Sequence, residues 1–128
     1  VQRCFALLPA FLTLARDHGA PALDLVELGP AAGLNLLWDR YAYAYRAGRW
    51  GASELLLQGV EYVPVPRKAL ARRPAVRRRL GIDLNPVDVT SEHGARLLHA
   101  FIWPGRVERA QRLKRAVAIL RREPPTLV

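Results

Sequence analysis

The run Asp24-Leu-Val-Glu-Leu-Gly-Pro-Ala-Ala-Gly-Leu-Asn-Leu-Leu37 constrains this chain more than any other stretch. Leu23, Leu25, Val26 and Leu28 are apolar with little alternation, which predicts a strand covered on both faces in a parallel α/β sheet. Gly29, Pro30, Ala31, Ala32 and Gly33 cannot continue that strand, and Leu34, Leu37, Trp38 and Tyr41 then fall on one face at helical spacing. Strand, turn and helix is the expected order. Such a turn offers unpaired backbone N–H groups at a helix N-terminus, approached closely because glycine has no side chain. Glycines serving turn geometry alone would satisfy the same pattern.

A second apolar run, Leu80-Gly-Ile-Asp-Leu-Asn-Pro86, ends in an acidic residue and a turn. A nucleotide-binding α/β unit presents its ribose-binding carboxylate at this place on the second strand. A carboxylate accepts two hydrogen bonds from a vicinal diol and keeps lone pairs in reserve, so Asp83 is the candidate. An Asx-turn or helix cap beside Pro86 is the alternative. Asp88 has the same two readings. Asp83 lies 50 residues beyond Gly33, whereas a dinucleotide fingerprint expects its acidic residue after about 20. Ala31 also places a methyl group where the backbone would approach a pyrophosphate. Both features count against NAD.

Glu27-Leu-Gly29-Pro-Ala31-Ala-Gly33 resembles the acidic-x-Gly-x-Gly-x-Gly loop of class I S-adenosylmethionine-dependent methyltransferases, with alanine at the middle glycine. The resemblance implies S-adenosylmethionine as cofactor, a ligand with no pyrophosphate to accommodate. Gly29, Ala31 and Gly33 would allow close backbone approach, and Glu27 would orient the loop or the ligand's amino group. Asn35 would reach the methionine end, and Asp83 the ribose. Methyl transfer would then rest on aligning an acceptor with the sulfonium methyl, where orientation supplies much of the rate. In that superfamily the groups holding the acceptor come mostly from loops after later strands, and no residue here can be named as general base.

Longer strings carry a closer resemblance: Arg3-Cys-Phe-Ala-Leu-Leu-Pro9, the whole of Val26 to Tyr43, Gly81-Ile-Asp-Leu-Asn-Pro-Val-Asp-Val89 and Ile102-Trp-Pro104. Together they resemble the uncharacterised bacterial family called domain of unknown function 2332, along essentially the whole chain. This implies a methyltransferase-like fold without a settled substrate. Members of the family extend past both ends of this sequence, so an internal piece of a longer protein is expected. The chain contains no methionine, even at position 1, in keeping with that expectation.

With 128 residues, 51% hydrophobic and 24% charged, the chain has the size and composition of one globular domain with a real core. No apolar run approaches the ~18 residues that span a bilayer. No basic-then-apolar leader is visible, and a cytoplasmic location is expected. Cys4 has no cysteine partner and lies among Phe5, Leu7 and Leu8, as a buried thiol would. His18, His93 and His99 are too dispersed for a zinc site.

The formal charge of +9 is lopsided: residues 1–66 carry five basic and six acidic side chains, residues 67–128 fifteen and five. Arg67, Lys68, Arg72, Arg73, Arg77, Arg78 and Arg79 form one basic cluster. Arg106, Arg109, Arg112, Lys114, Arg115, Arg121 and Arg122 form another. They invite an anionic partner such as nucleic acid or an acidic protein. Arginines decorating solvated helix faces are the other reading, favoured by the lack of interleaved aromatics and glycines.

The remaining elements follow in order. A leading helix over 2–17 is kinked at Pro9 and stopped by Gly19, and Ala20-Pro21 links it to the strand. Within 23–42 lies the strand-turn-helix. Over 43–66 the alternating Tyr41, Tyr43 and Tyr45, the turn-rich Arg46 to Ser53 and the apolar Glu54 to Tyr62 predict an inserted β-hairpin. Its tyrosines and Trp50 either line a pocket or pack on the body, packing being the commoner role. Residues 67–128 bring a helix over at least the second half of Lys68 to Leu80, with Pro74 near its start and Gly81 just past its end, the second strand, a helix capped by Thr90 or Ser91, an amphipathic helix from Val107 to Leu120, and a third strand opening at Thr126.

The fold expected is therefore α/β, a partial doubly wound, Rossmann-like parallel sheet with an inserted hairpin, comprising the N-terminal half of such a fold in one domain. The function expected is that of a methyltransferase-like protein binding S-adenosylmethionine. The alternative is a non-enzymatic basic binding module.

Overall fold

The computed structural model describes residues 1–19 and 21–128. Ala20, read above as part of the link into the first strand, lies outside the described residues. Helix α1 covers Cys4–Asp17, β1 Ala22–Leu28, a 3-10 segment Leu34–Arg40, β2 Ala42–Tyr45, β3 Gly48–Trp50 and β4 Leu56–Gln58. These are followed by α2 (Arg67–Leu70), β5 (Ala75–Ile82), α3 (Glu92–Ala100), α4 (Val107–Arg122) and β6 (Thr126–Leu127).

One sheet has the order β1-β5-β6. Ala75 N–H donates to the Pro21 carbonyl at 2.9 Å and Gly29 N–H to the Ile82 carbonyl at 2.8 Å. The two strands thus advance in the same direction. β5 and β6 are parallel, with Leu80 opposite Thr126 and Gly81 opposite Leu127. Parallel strands laid down side by side in chain order are the arrangement of one half of a doubly wound sheet. This is the α/β fold that the sequence predicts.

Three elements depart from expectation, among them the 3-10 segment Leu34–Arg40, where an α-helix is expected. Lys68 to Leu80 is not helical in its second half: α2 is a single turn and β5 begins at Ala75. Pro74 cannot extend α2 with a backbone hydrogen bond. The residues after it find a partner strand in β1, a non-local pairing that local propensity does not register. The first basic cluster is thereby divided between a turn of helix and a strand. Arg77 forms a bidentate pair with Asp24 at 2.9 and 2.6 Å. Arg79 donates to the Leu36 carbonyl at 3.0 Å.

The inserted hairpin closes earlier than expected. β2 pairs antiparallel with β3 through a tight turn that places Tyr45 opposite Gly48. Leu56–Gln58, expected as the returning arm, instead pairs parallel with the other edge of β2, giving a mixed sheet of order β3-β2-β4. Gly51 makes the corner after β3. Its φ is +73°, and a Cβ there would lie 2.3 Å from the Tyr41 carbonyl oxygen, so only glycine fits.

The chain divides into two compact units. One comprises Gln2–Leu25 and Trp38–Arg78. Its core is aromatic: Phe5 stacks on Tyr45, Phe11 on Trp38, and Trp50 meets both Trp38 and Tyr43. Tyr41, Tyr43 and Trp50 are buried, so these rings pack the interior, and Trp50 also borders a cavity of about 290 Å³ beside Asp39, Arg40 and Arg73. Pro9, inside α1, has no N–H to give the Phe5 carbonyl four residues back. The Tyr45 hydroxyl donates to that carbonyl at 2.5 Å instead. The other unit comprises Val1, Val26–Leu37 and Arg79–Val128. It holds Leu36 and Leu37 together with Val89, Ala116, Val117 and Leu120 as buried residues. All the candidate ligand-binding residues belong to it.

Candidate functional site

The loop after β1 is built from left-handed corners. Gly29, Ala31 and Gly33 have φ of +67°, +54° and +75°, alternating with residues that do not. Two of these positions carry glycine, as such geometry demands; Ala31 tolerates it at a steric cost that only Gly escapes. The loop is closed by its own hydrogen bonds. Gly33 N–H donates to the Pro30 carbonyl at 3.0 Å, and Val87 N–H donates to the Ala31 carbonyl at 3.0 Å.

Asp83 follows directly on β5, and its carboxylate meets this loop. Oδ2 accepts the Ala31 N–H at 2.8 Å, and Oδ1 accepts the Asn85 N–H at 3.0 Å. The Asn85 and Ala31 amides, in that order, hold the carboxyl below its ordinary value, so it is ionised at neutral pH. An ionised carboxylate has about four acceptor positions, and two are used here. The side chain remains half-exposed.

Glu27, on β1, points its Oε1 at the Asn35 amide, which donates at 2.8 Å. Its Oε2 is buried and has no hydrogen-bond partner among the described residues. A buried carboxylate oxygen left in this way is costly unless a donor is supplied. Glu27 and Asn35 therefore form one pair, which brackets the loop, and Asp83 and Ala31 another, at its middle residue.

Individual loop positions have separate duties. A Cβ at Gly29 would meet nothing within 4 Å, whereas one at Gly33 would lie 2.7 Å from the Pro125 ring and 3.2 Å from Leu127. Gly33 is thus needed for close packing of the segment before β6, and Gly29 borders open space. The segment after Gly33 is a seven-residue 3-10 stretch broken at Leu37, in place of the expected α-helix. With its N–H groups at Gly29, Ala31 and Gly33 all engaged, the loop presents carboxylates and carbonyls more than amide donors. Leu28 and Leu84, immediately beside Gly29 and Asp83 in sequence, are 78% and 97% exposed. They supply apolar surface at the strand ends.

Asp88 takes the local role. It accepts from the Thr90 hydroxyl at 2.6 Å and the Thr90 N–H at 2.8 Å, which hold its carboxyl below the ordinary value. The turn it organises leads into Ser91, whose Oγ caps α3 by accepting the Gly94 N–H at 3.0 Å. Two supports escaped the sequence. The Arg121 guanidinium donates to the Val89 carbonyl at 2.7 Å with no local pattern to announce it, and the Val87 amide ties down Ala31. Cys4 is a buried thiol. Among the described residues no three His, Cys, Asp or Glu side chains are grouped to hold a metal ion, and no helix is long and apolar enough to cross a membrane.

No curated protein and no solved structure matches the chain. A family profile does, that of an uncharacterized protein conserved in bacteria (DUF2332), and it covers residues 1–128. Matched from end to end, this chain belongs to the DUF2332 family.

Proposed function

We propose that the protein binds S-adenosylmethionine at the ends of β1 and β5 and belongs to a methyltransferase-like enzyme. One observation carries the reading: two loops 50 residues apart in sequence meet through the Asp83 carboxylate and the Ala31 amide at 2.8 Å. A nucleoside needs a diol acceptor beside an unobstructed backbone corner. Asp83 offers its remaining lone pairs as the acceptor, and Gly29 offers the corner. The unpaired Oε2 of Glu27 suits a cationic donor such as the amino group of the methionine moiety. Leu28 and Leu84 provide the apolar surface on which a base can lie.

The chain's own residues would bind and orient the cofactor. S-Adenosylmethionine would supply an electrophilic methyl on a sulfonium centre. Titration calorimetry on the full-length protein is expected to give a heat of binding that Asp83→Ala reduces or abolishes. Glu27→Gln, which keeps the Asn35 contact and removes the charge, is expected to weaken S-adenosylmethionine more than adenosine. A folded full-length sample with no heat of binding would overturn the reading.

A further inference from the structure

The second basic cluster has a partner chemistry of its own, independent of the cofactor loop. The segment joining α3 and α4 runs Phe101-Ile-Trp-Pro-Gly-Arg106. Arg106 N–H donates to the Trp103 carbonyl at 3.2 Å, and Gly105 has a φ of +82°. Pro followed by a left-handed Gly inside an i to i+3 hydrogen bond is a type II turn. Trp103 is therefore set at the first corner of a stiff turn, and it is 77% exposed; Phe101, ending α3, is 76% exposed. Apolar rings of this size are seldom left to water without a partner.

The same turn opens onto a cavity of about 470 Å³ lined by Gly105, Arg106, Val107, Glu108, Arg109 and Arg112. Its lining carries three arginines and one glutamate. Among the described residues none of the three arginines makes an ion pair. Their charge is thus available to an anion. Aromatic interleaving, which the linear sequence of the arginines lacks, is supplied in space by the residues just before them.

We infer that the α3–α4 tip, formed by Phe101, Trp103, Arg106, Arg109 and Arg112, binds single-stranded nucleic acid. Rings that stand clear of the surface stack on unpaired bases, which a duplex keeps stacked inside, and guanidinium groups hold the backbone phosphates. An acidic peptide would satisfy the arginines and leave the rings unused. A duplex would do the same.

The chain's three tryptophans make the test direct, because Trp38 and Trp50 are 0% and 3% exposed and Trp103 is not. Full-length protein is titrated with short uridine and thymidine oligomers, with the matching duplexes and with polyglutamate, following tryptophan emission and fluorescence anisotropy. Quenching by both single strands, or by one, with weaker or no quenching by duplex and polyglutamate, is expected. Trp103→Ala should weaken single-strand binding about 5- to 150-fold, while Trp103→Phe keeps binding and loses the quench. Replacing Arg106, Arg109 and Arg112 by Gln should flatten the dependence of log affinity on log salt by about 2. Duplex or polyglutamate bound as tightly as single strands, Trp103→Ala without effect, or no binding at low salt would each overturn the inference. S-Adenosylmethionine binding by the same variants is expected to be unchanged, so this result and that of the cofactor titration are read separately.

Discussion

Asp83 holds two loops of the fold together at the place where the proposed ligand would bind. It fixes the β1 loop through Ala31 and turns its own loop through Asn85, and both bonds require the ionised form. Because folding holds its carboxyl below the ordinary value, the stabilisation is complete above the unfolded value of about 3.9 and is lost as pH falls through the lower folded value. The Ala31 and Asn85 amide NMR signals are expected to hold steady from neutrality to about pH 4 and to move together below it. Movement of either near about pH 6 would contradict this account. Ala31 makes a second prediction possible. Among the described residues it is the non-glycine residue with positive φ, at +54°, a conformation that costs an L-residue about 1–2 kcal/mol. Ala31→Gly relieves that cost while adding unfolded-state entropy of about 0.4–1 kcal/mol. Chemical denaturation should show a net gain of up to about 1 kcal/mol, the reverse of what glycine does in a regular element. A loss of stability would mean that the Ala31 methyl is contributing contacts.

At the scale of elements, α1 depends on a residue 40 positions away. Pro9 frees the Phe5 carbonyl inside the helix, and the Tyr45 hydroxyl on β2 takes the place of the missing N–H. Tyr45→Phe keeps the ring stacked on Phe5 and removes only the donor, so it should cost about 1–3 kcal/mol. In a Pro9→Ala background, where the helix supplies its own N–H, the same change should cost less. A double-mutant cycle by urea denaturation measures the difference, and strict additivity would disprove the link. α3 has a comparable dependence on its first turn. A Cβ at Gly94 would lie 1.9 Å from the Asp88 carbonyl oxygen, and that overlap cannot be relieved while Ser91 caps the helix. Gly94→Ala should therefore destabilise by about 2–4 kcal/mol, with the loss of the α3 cap visible in hydrogen exchange of the Gly94 position's amide. β5 teaches the opposite lesson. Val76-Arg-Arg-Arg-Leu80 has arginines that suit a helix as well as a strand, and pairing with β1 decides for the strand.

For the molecule as a whole, the aromatic unit sets the alkaline limit. Burial pushes the Tyr43 phenol well above its ordinary value, with the charges of its neighbours adding to the shift, and burial and then Glu61 do the same to Tyr45. A folded value raised in this way contributes stability that is complete below the unfolded value of about 10 and is withdrawn as pH rises beyond it. Ultraviolet absorbance of the phenolate should therefore show Tyr43 and Tyr45 ionising together with the loss of near-ultraviolet circular dichroism. Ionisation of these two in a protein still folded would refute the burial argument. The sequence by itself determined the parallel α/β sheet: the apolar runs at Leu23 to Leu28 and Leu80 to Ile82, the Gly29 turn and the Ser91 cap are local instructions, written in residues that few other conformations accept. It determined α3, α4 and the opening of β6 for the same reason, since apolar spacing and breakers act within a few residues. Only tertiary structure decided that β4 lies parallel to β2, that the residues after Pro74 form a strand and not a helix, and that Arg77 and Arg79 are engaged while, among the described residues, Arg106, Arg109 and Arg112 make no ion pair. It alone brought Asp83 to Ala31 and left Trp103 in water. These outcomes rest on pairings between distant residues, whose free energy exists only once both partners have been brought together.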